Sequence, residues 1–283
     1  GMDRRSVIRA ILVGAGSLLL FGLGFLLSLY LIPAPKIAVI RIEGDLWSFY
    51  TSYVRDSLEK AGGDPAIRAV VLDIASPGGE VTASEGLYFD VLNLRENKPV
   101  VASVGEMAAS GAYYVASATD EIYAKPASAV GNIGVISFLP EPDLMDEMLI
   151  TTGPIKLSGG PQTEYVRQME ALKETFLAAI LAQRDDRLNV PPQVLSRGEI
   201  YLGLQAQQMG IIDEIGSQSD ALAAAARMAK IRHYDIVDLT PELPEELGMF
   251  GLELGRASTA ASVAAPPKQM PPGFYYRYLE PPQ

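Results

Sequence analysis

Between Ala10 and Ile32 the chain runs for 23 residues without a charged side chain, and no other feature constrains its fold as much. A helix needs about 20 apolar residues to cross the hydrocarbon core of a bilayer, so residues 10–32 read as one transmembrane anchor in contact with lipid. Arg4, Arg5 and Arg9 precede the run, while Lys36 and Arg41 follow more sparsely. The positive-inside bias then makes residues 1–9 a basic cytoplasmic N-terminus and places the main domain outside the cytoplasm, as a single-pass membrane protein. A cleaved signal peptide fits less well. Its apolar core is usually about 7–15 residues, and Pro33-Ala34-Pro35 is a poor small-residue cleavage site.

Past Pro33, β and α patterns alternate, which favours a mostly parallel sheet covered by helices. The patterns predict a strand over 36–42, a helix over 53–61 and a buried strand over 69–74 that ends at Ser76-Pro77-Gly78-Gly79. A helix over 82–96 follows, with Leu87, Val91 and Leu94 on one face. The next strand, 100–104, passes through Gly105-Glu106-Met107 into a helix over 109–118. Short strands near Ile122 and over 130–136, a helix over 143–149, a strand at 155–157 and a long helix over 164–188 come next, before Pro191-Pro192. A helix at 204–209, a strand at 211–215 and an Ala-rich helix at 220–230 close the compact part. Residues 36–238 thus read as one α/β domain, for which a 48% hydrophobic composition supplies a core. Residues 239–283 form a Pro/Ala-rich tail, extended or disordered, with Phe274-Tyr275-Tyr276-Arg277-Tyr278 as an aromatic docking element.

Composition removes several functions. A net charge of −11 without a Lys/Arg stripe argues against a nucleic-acid partner, whose phosphates need neutralising. The absence of cysteine excludes a disulfide framework, a thiolate nucleophile and a Cys-ligated metal. His233, the one histidine, lies in a polar stretch far from every motif, so Ser-His-Asp and His-metal mechanisms fall away. Neither a cofactor nor a metal is expected.

Two glycine-rich turns follow successive strands, at the edge where parallel sheets bind ligands. In Ser76-Pro77-Gly78-Gly79 the glycines let another backbone approach, and their N–H groups can face a developing negative charge. In Met107-Ala108-Ala109-Ser110-Gly111-Ala112-Tyr113-Tyr114 a serine starts a helix among residues too small to shield it. Its hydroxyl is expected at an exposed point where the two turns converge. Alone, each motif has an ordinary reading, a tight turn or an N-cap serine.

Together they resemble the signal peptide peptidase A family, relatives of the Clp protease fold, whose nucleophile lies in an A-A-S-G-[GA]-Y-Y stretch downstream of an S-P-G-G turn. The resemblance covers about Lys36 to Ile231. It includes Val130-Gly131-Asn132-Ile133-Gly134-Val135-Ile136, similar to the family's G-S-I-G-V strand. It also includes Tyr201, Gly203, Ala206, Gly210, Ile212, Asp213, Glu214 and Gly216, similar to its YxGxxAxxxGLxDxxG segment. The fold this implies is a Clp protease/crotonase-like spiral of β-β-α units with a mostly parallel sheet, after one transmembrane helix. The resemblance makes Ser110 the nucleophile that attacks a peptide carbonyl, and the N–H groups of Gly79 and Gly111 the oxyanion hole. It also implies self-association into a homo-oligomer.

The family supplies a lysine base in an S-G-x-x-K-[DS] stretch, and the matching run here is Ser158-Gly159-Gly160-Pro161-Gln162-Thr163. Gln162 stands in the lysine's place, and an amide does not take up a proton usefully. The family's supporting serine is replaced by Asn132. Lys156 is the nearest alternative base, but six extended residues span about 20 Å. Glu80 and Glu106 flank the motifs, where helix starts would lower their basicity. The expected function is a membrane-anchored serine endopeptidase acting on short or signal-peptide-derived peptides. The alternative is a catalytically impaired homologue that binds peptides or scaffolds a membrane complex. A crotonase-type acyl-CoA enzyme is disfavoured by the anchor and by the serine at the helix start.

Overall fold

The computed structural model describes residues 4–31, 34–138, 152, 155–156, 159–242 and 273–277. Two compact units divide the chain, Gly1–Pro35 and Lys36–Gln283. The first holds one helix, α1 (Arg4–Leu31), on which Leu12, Leu19, Phe21 and Leu23 are exposed. Its described side chains are Ile8 and residues 12–24, so the expected span of residues 10–32 runs past them at both ends. Among the described residues, no helix is long and apolar enough to cross a membrane.

The second unit opens with β1 (Lys36–Glu43), α2 (Ser48–Gly63), β2 (Ile67–Ser76), β3 (Gly78–Glu80), α3 (Val81–Arg95), β4 (Val100–Ala109) and α4 (Gly111–Ser117). It continues with β5 (Glu121–Ala124), β6 (Ala129–Gly131), β7 (Ile136–Phe138), α5 (Gln162–Arg184), α6 (Pro192–Leu195) and β8 (Ile200–Leu202). The last elements are α7 (Gly203–Met209), β9 (Glu214–Ile215), α8 (Gln218–Met228), β10 (Asp235–Asp238) and β11 (Gly273–Arg277). The main sheet runs β10-β1-β2-β4-β5-β9 with every neighbour parallel, and β6 joins it from β4 and pairs antiparallel with β8. A second sheet is β3-β11-β7.

Successive side chains of β1 and β2 point to opposite faces, and both faces are covered. Ile37, Val39, Ala69 and Val71 pack with Ala221, Ala224 and Ala225 of α8. Ala38, Ile40, Val70 and Leu72 pack with Val54 and Leu58 of α2, Leu87 and Val91 of α3, and Tyr113 of α4. Burial on two faces explains why these strands read as unbroken apolar runs. Each fully buried Ile or Leu contributes about 1.5–3 kcal/mol.

One irregularity positions the site. The register of β2 on β4 steps from Ile74↔Val104 to Ser76↔Ala108, a bulge across Gly105–Met107. Bulges re-aim a strand. Here β4 pairs with β5 before the bulge and with β6 after it, carrying Ala108 and Ala109 beside the Ser76 turn.

Several expectations are corrected. The single strand over 130–136 is split into β6 and β7 by Asn132, whose φ of 56° lies in the left-handed region that asparagine tolerates better than most residues. Ile155 and Lys156 form a turn, not a strand: the Gly159 N–H donates to the Ile155 carbonyl oxygen at 2.7 Å. The tail supplies a strand, β11, and β10 pairs with β1 from Lys36↔Asp235 to Val39↔Asp238. The helix expected over 143–149 lies outside the described residues.

Candidate active site

Ser110 sits between β4 and α4 with φ 54° and ψ −122°. That conformation is nearly reserved for glycine, and strain of this kind costs about 1–3 kcal/mol. Two hydrogen bonds hold it: the Ser110 N–H donates to the Gly131 carbonyl oxygen at 2.7 Å, and the Tyr114 N–H donates to the Ser110 carbonyl oxygen at 2.9 Å. The residue is 1% exposed, and its Oγ is a buried oxygen with no hydrogen-bond partner among the described residues. This corrects the expectation of an open hydroxyl. A buried unpaired polar group costs about 1–3 kcal/mol, so the chain carries two local penalties at one side chain.

The Ser76 turn is built to bring β3 alongside. Ser76 Oγ donates to the Gly44 carbonyl oxygen at 2.6 Å and accepts from the Gly78 N–H at 3.2 Å. Gly78 takes φ 95°, open to glycine at little cost. The Leu46 N–H donates to the Gly78 carbonyl oxygen, and the Glu80 N–H donates to the Leu46 carbonyl oxygen, each at 2.9 Å. Backbone groups alternate sides along a strand. With 78 and 80 turned to Leu46, the N–H and C=O of Gly79 face the other edge, where Tyr276 of β11 is their register partner.

Gly79 cannot carry a side chain, because a Cβ would lie 2.3 Å from the Leu46 carbonyl oxygen. Gly79→Ala is therefore expected to displace β3 and destabilise the domain by about 1–3 kcal/mol, as overpacking does. Urea denaturation checks this, and an unchanged midpoint would contradict the tight approach.

The Ser110–Gly131 hydrogen bond, the pairing of Ala109 with Gly131 and the packing of α4 against β3 bring Ser110, Gly111, the Gly131–Asn132 corner and the Gly78–Glu80 strand to one end of the sheet. Gly111 is the first residue of α4, where helical N–H groups lack an intrahelical acceptor. Asn132 is engaged elsewhere, since its Nδ2 donates to the Gly198 carbonyl oxygen at 2.7 Å. Gln162 opens α5 and is exposed, as is Lys156 in its turn. Neither donates to Ser110 Oγ. The Glu80 carboxylate accepts from the Ser48 N–H at 2.9 Å and from the Ser48 hydroxyl, serving the start of α2. Glu106 is exposed, and Lys98 Nζ donates to the Ala61 and Asp64 carbonyl oxygens, both at 2.6 Å. Behind the serine, Tyr114 stacks on Tyr88 with centroids 4.6 Å apart. Burial pushes both phenols up, so they are neutral packing groups.

The C-terminal motif, Tyr201 to Gly216, proves to be a clamp. Asp213 accepts from the Ile122 N–H at 2.7 Å, from both terminal nitrogens of Arg184 at 3.1 Å and from Arg187 at 2.9 Å. Sequence reading missed Arg184, whose polar group sits on a helix read only for its apolar face.

A mainly parallel α/β domain with a strained serine after one strand and a glycine edge after the previous one defines a class that places its reactive groups at strand ends. Residues 93–153 match the profile of Peptidase family S49. A protease-named protein of Methanocaldococcus jannaschii is 35% identical over 213 residues, 70% of this chain and 66% of that protein. Protease 4 of Haemophilus influenzae is 30% identical over 218 residues, 70% of this chain and 35% of the relative. Protease 4 of Salmonella typhi is 29% identical over 200 residues, 66% of this chain and 32% of the relative. The chain thus spans about a third of the protease 4 proteins. A mutant of the 1510-N membrane-bound stomatin-specific protease, a solved structure, superposes with a TM-score of 0.51 at 16% identity, covering 75% of this chain and all of that one. At that identity the likeness speaks to the fold. The chain belongs to Peptidase family S49 and is of the signal peptide peptidase A type.

Proposed function

We propose that this protein is a membrane-anchored serine endopeptidase that hydrolyses short, extended peptides, including remnants of signal peptides. The observation that carries the reading is the Ser110 hydroxyl, buried and without a hydrogen-bond partner among the described residues, on a strained backbone at the start of the helix that packs against β3. A fold bears such costs where the group has work to do.

In this reading Ser110 Oγ attacks the peptide carbonyl carbon, and the N–H groups of Gly79 and Gly111 receive the negative charge that develops on the carbonyl oxygen. Donors fixed in advance against that charge supply much of a hydrolase's rate. The hydroxyl must still lose its proton. Gln162 does not titrate and Asn132 is tied to Gly198, so neither takes that proton; it passes through water to the amine that leaves as the peptide C–N bond breaks, and a second water hydrolyses the acyl ester on Ser110. In this reading the anchor is the uncharged apolar run of residues 10–32, which exceeds the about 20 residues that a bilayer core requires. The arginines before it favour a cytoplasmic N-terminus. Self-association and the Clp protease/crotonase-like spiral follow from the family resemblance.

The test offers extended apolar peptides to the full chain in detergent and reads new N-termini by mass spectrometry. Cleavage supports the peptidase; saturable binding without cleavage would make the chain a peptide-binding or scaffolding homologue. A repair variant, Gln162→Lys with Asn132→Ser, is expected to raise turnover by about 10²-fold or more, the usual worth of a positioned base. No gain would show that the base belongs elsewhere.

A further inference from the structure

The parallel strands β10, β1, β2, β4 and β5 all start at one end of the main sheet, and the turns that feed those starts collect cations. Lys36 opens β1, Lys60 lies in the last turn of α2, Arg68 is the second residue of β2, and Lys230 and Arg232 lie between α8 and β10. The register brings the strand starts to one level, since Lys36 pairs with Ile67 on one side and with Asp235 on the other. Lys60, Arg68, Lys230 and Arg232 are exposed. Among the described residues none of the five cations makes an ion pair, although the chain has a net charge of −11. Several neighbouring carboxylates are engaged within the fold. Asp64 accepts from the Ala66 N–H at 2.8 Å, Asp120 accepts from the Val100 N–H at 2.9 Å, and Glu121 pairs with Arg227 at 2.9 Å. Glu59, Glu96 and Asp235 are exposed at this end, fewer than the unpaired cations.

Two details show cations gathered at this end against local resistance. Lys230 takes φ 57° just past the end of α8, a helix-ending position where glycine is the usual and less strained residue. A long charged side chain stands there instead. Lys98 donates to the Ala61 and Asp64 carbonyl oxygens, and burial holds its ammonium below the ordinary lysine range; the Asp64 charge opposes that shift, and the Arg68 guanidinium adds to it. The chain also enters the domain at this end. Pro33, Ala34 and Pro35 alone separate the apolar run of residues 10–32 from Lys36, a span of at most about 14 Å.

We propose that the strand-start end of the domain, carrying Lys36, Lys60, Arg68, Lys230 and Arg232, docks on the anionic headgroups of the leaflet in which the chain is anchored. This rests on the reading of residues 10–32 as a membrane anchor. Attraction between a basic surface and an anionic leaflet fades within a Debye length, about 8 Å at physiological salt. The short tether is what brings this end into that range. Each Lys or Arg there strengthens attachment about fivefold, while the carboxylate-rich remainder of the surface is repelled, so the domain is held in one orientation. The consequence falls on Ser110. It follows the far end of β4, whose ten residues place it about 30 Å from the strand starts. The peptide segments that reach it are then those already outside the bilayer, and a segment still buried in lipid is out of reach.

The absence of cysteine lets one probe be placed at a time. The full chain carries a fluorophore either on Asn97→Cys, in the turn between α3 and β4, or on Thr163→Cys, at the start of α5, whose other end is tied to Asp120 through Arg187. Each labelled protein is reconstituted into vesicles that hold an acceptor lipid. Replacing part of a zwitterionic bilayer with anionic lipid is expected to raise energy transfer from residue 97 about twofold and to leave residue 163 unchanged. Lys60→Glu, Arg68→Glu, Lys230→Glu and Arg232→Glu together are expected to abolish the rise. Salt at about 1 M, which shortens the Debye length to about 3 Å, is expected to abolish it in the protein without those four changes and guards against a folding defect in the variant. Equal transfer from residue 97 in both kinds of vesicle would overturn the proposal. A rise that appears only at high protein density would assign this face to a second copy and overturn it as well. Extraction with alkaline carbonate follows the transfer measurement. Release of a chain that had shown the rise would sink the anchored reading alone, and retention of a chain that had shown none would sink this inference alone.

Discussion

Ser110→Ala lowers peptide hydrolysis by about 10³-fold or more and, at the same time, raises the stability of the domain by about 1 kcal/mol. The loss follows from removing the only atom proposed to bond to the carbonyl carbon, while the amide donors of Gly79 and Gly111 remain and leave a residual rate above water. The gain follows from the same atom's surroundings: Ser110 Oγ is buried with no partner among the described residues, and deleting an unsatisfied hydroxyl recovers its desolvation cost. The two signs together separate a working hydroxyl from a structural one, which would show lost stability and unchanged turnover. Steady-state hydrolysis and urea denaturation of the same preparations check the pair. Ser110→Gly adds a finer test, since glycine also relieves the strain at φ 54° and should be at least as stable as alanine there.

Arg184→Met is expected to cost about 3 kcal/mol, which for a domain of this size lowers the melting temperature by roughly 6–12 °C. Arg184 is 1% exposed, and its guanidinium is spent on both oxygens of Asp213 and on the Gly210 carbonyl oxygen, the latter at 3.1 and 3.3 Å. Methionine fills the space but leaves Asp213 half-paired and the carbonyl bare. Arg187 still reaches Asp213 at 2.9 Å and the Ile122 N–H still donates at 2.7 Å, which holds the loss near the low end for a broken buried pair. Arg187→Ala is the control. Its side chain is 38% exposed, so about 1 kcal/mol or less is expected. Differential scanning calorimetry reads both, and equal shifts would contradict the assignment of Arg184 as the central tie.

The strands that carry the site were legible because burial on two faces writes itself as continuous Val, Ile and Ala. Residues 69–74 and 100–104 fall inside β2 and β4, and the alternation of 36–42 falls inside β1. The turns were legible because glycine and proline act locally. What the sequence hid depends on partners far along the chain. β11 has no local pattern that selects it over a loose tail, since its pairing comes from Gly78–Glu80 and Ile136–Phe138. β10 reads as a polar Asp-Ile-Val-Asp run and becomes a strand only against β1. The burial of Ser110 was misread for the same reason, because small neighbours predict access only if nothing else covers them. Asn132 was read as half of an altered base pair, whereas its φ of 56° and its bond to Gly198 give it a task in the backbone.

The most direct measurement is the mass of the full-length protein after reaction with a peptidyl phosphonate that carries an aromatic residue, followed by peptide mapping. The account predicts one covalent adduct, located on Ser110 and absent in Ser110→Ala. An unmodified Ser110 after prolonged reaction with excess phosphonate would contradict it.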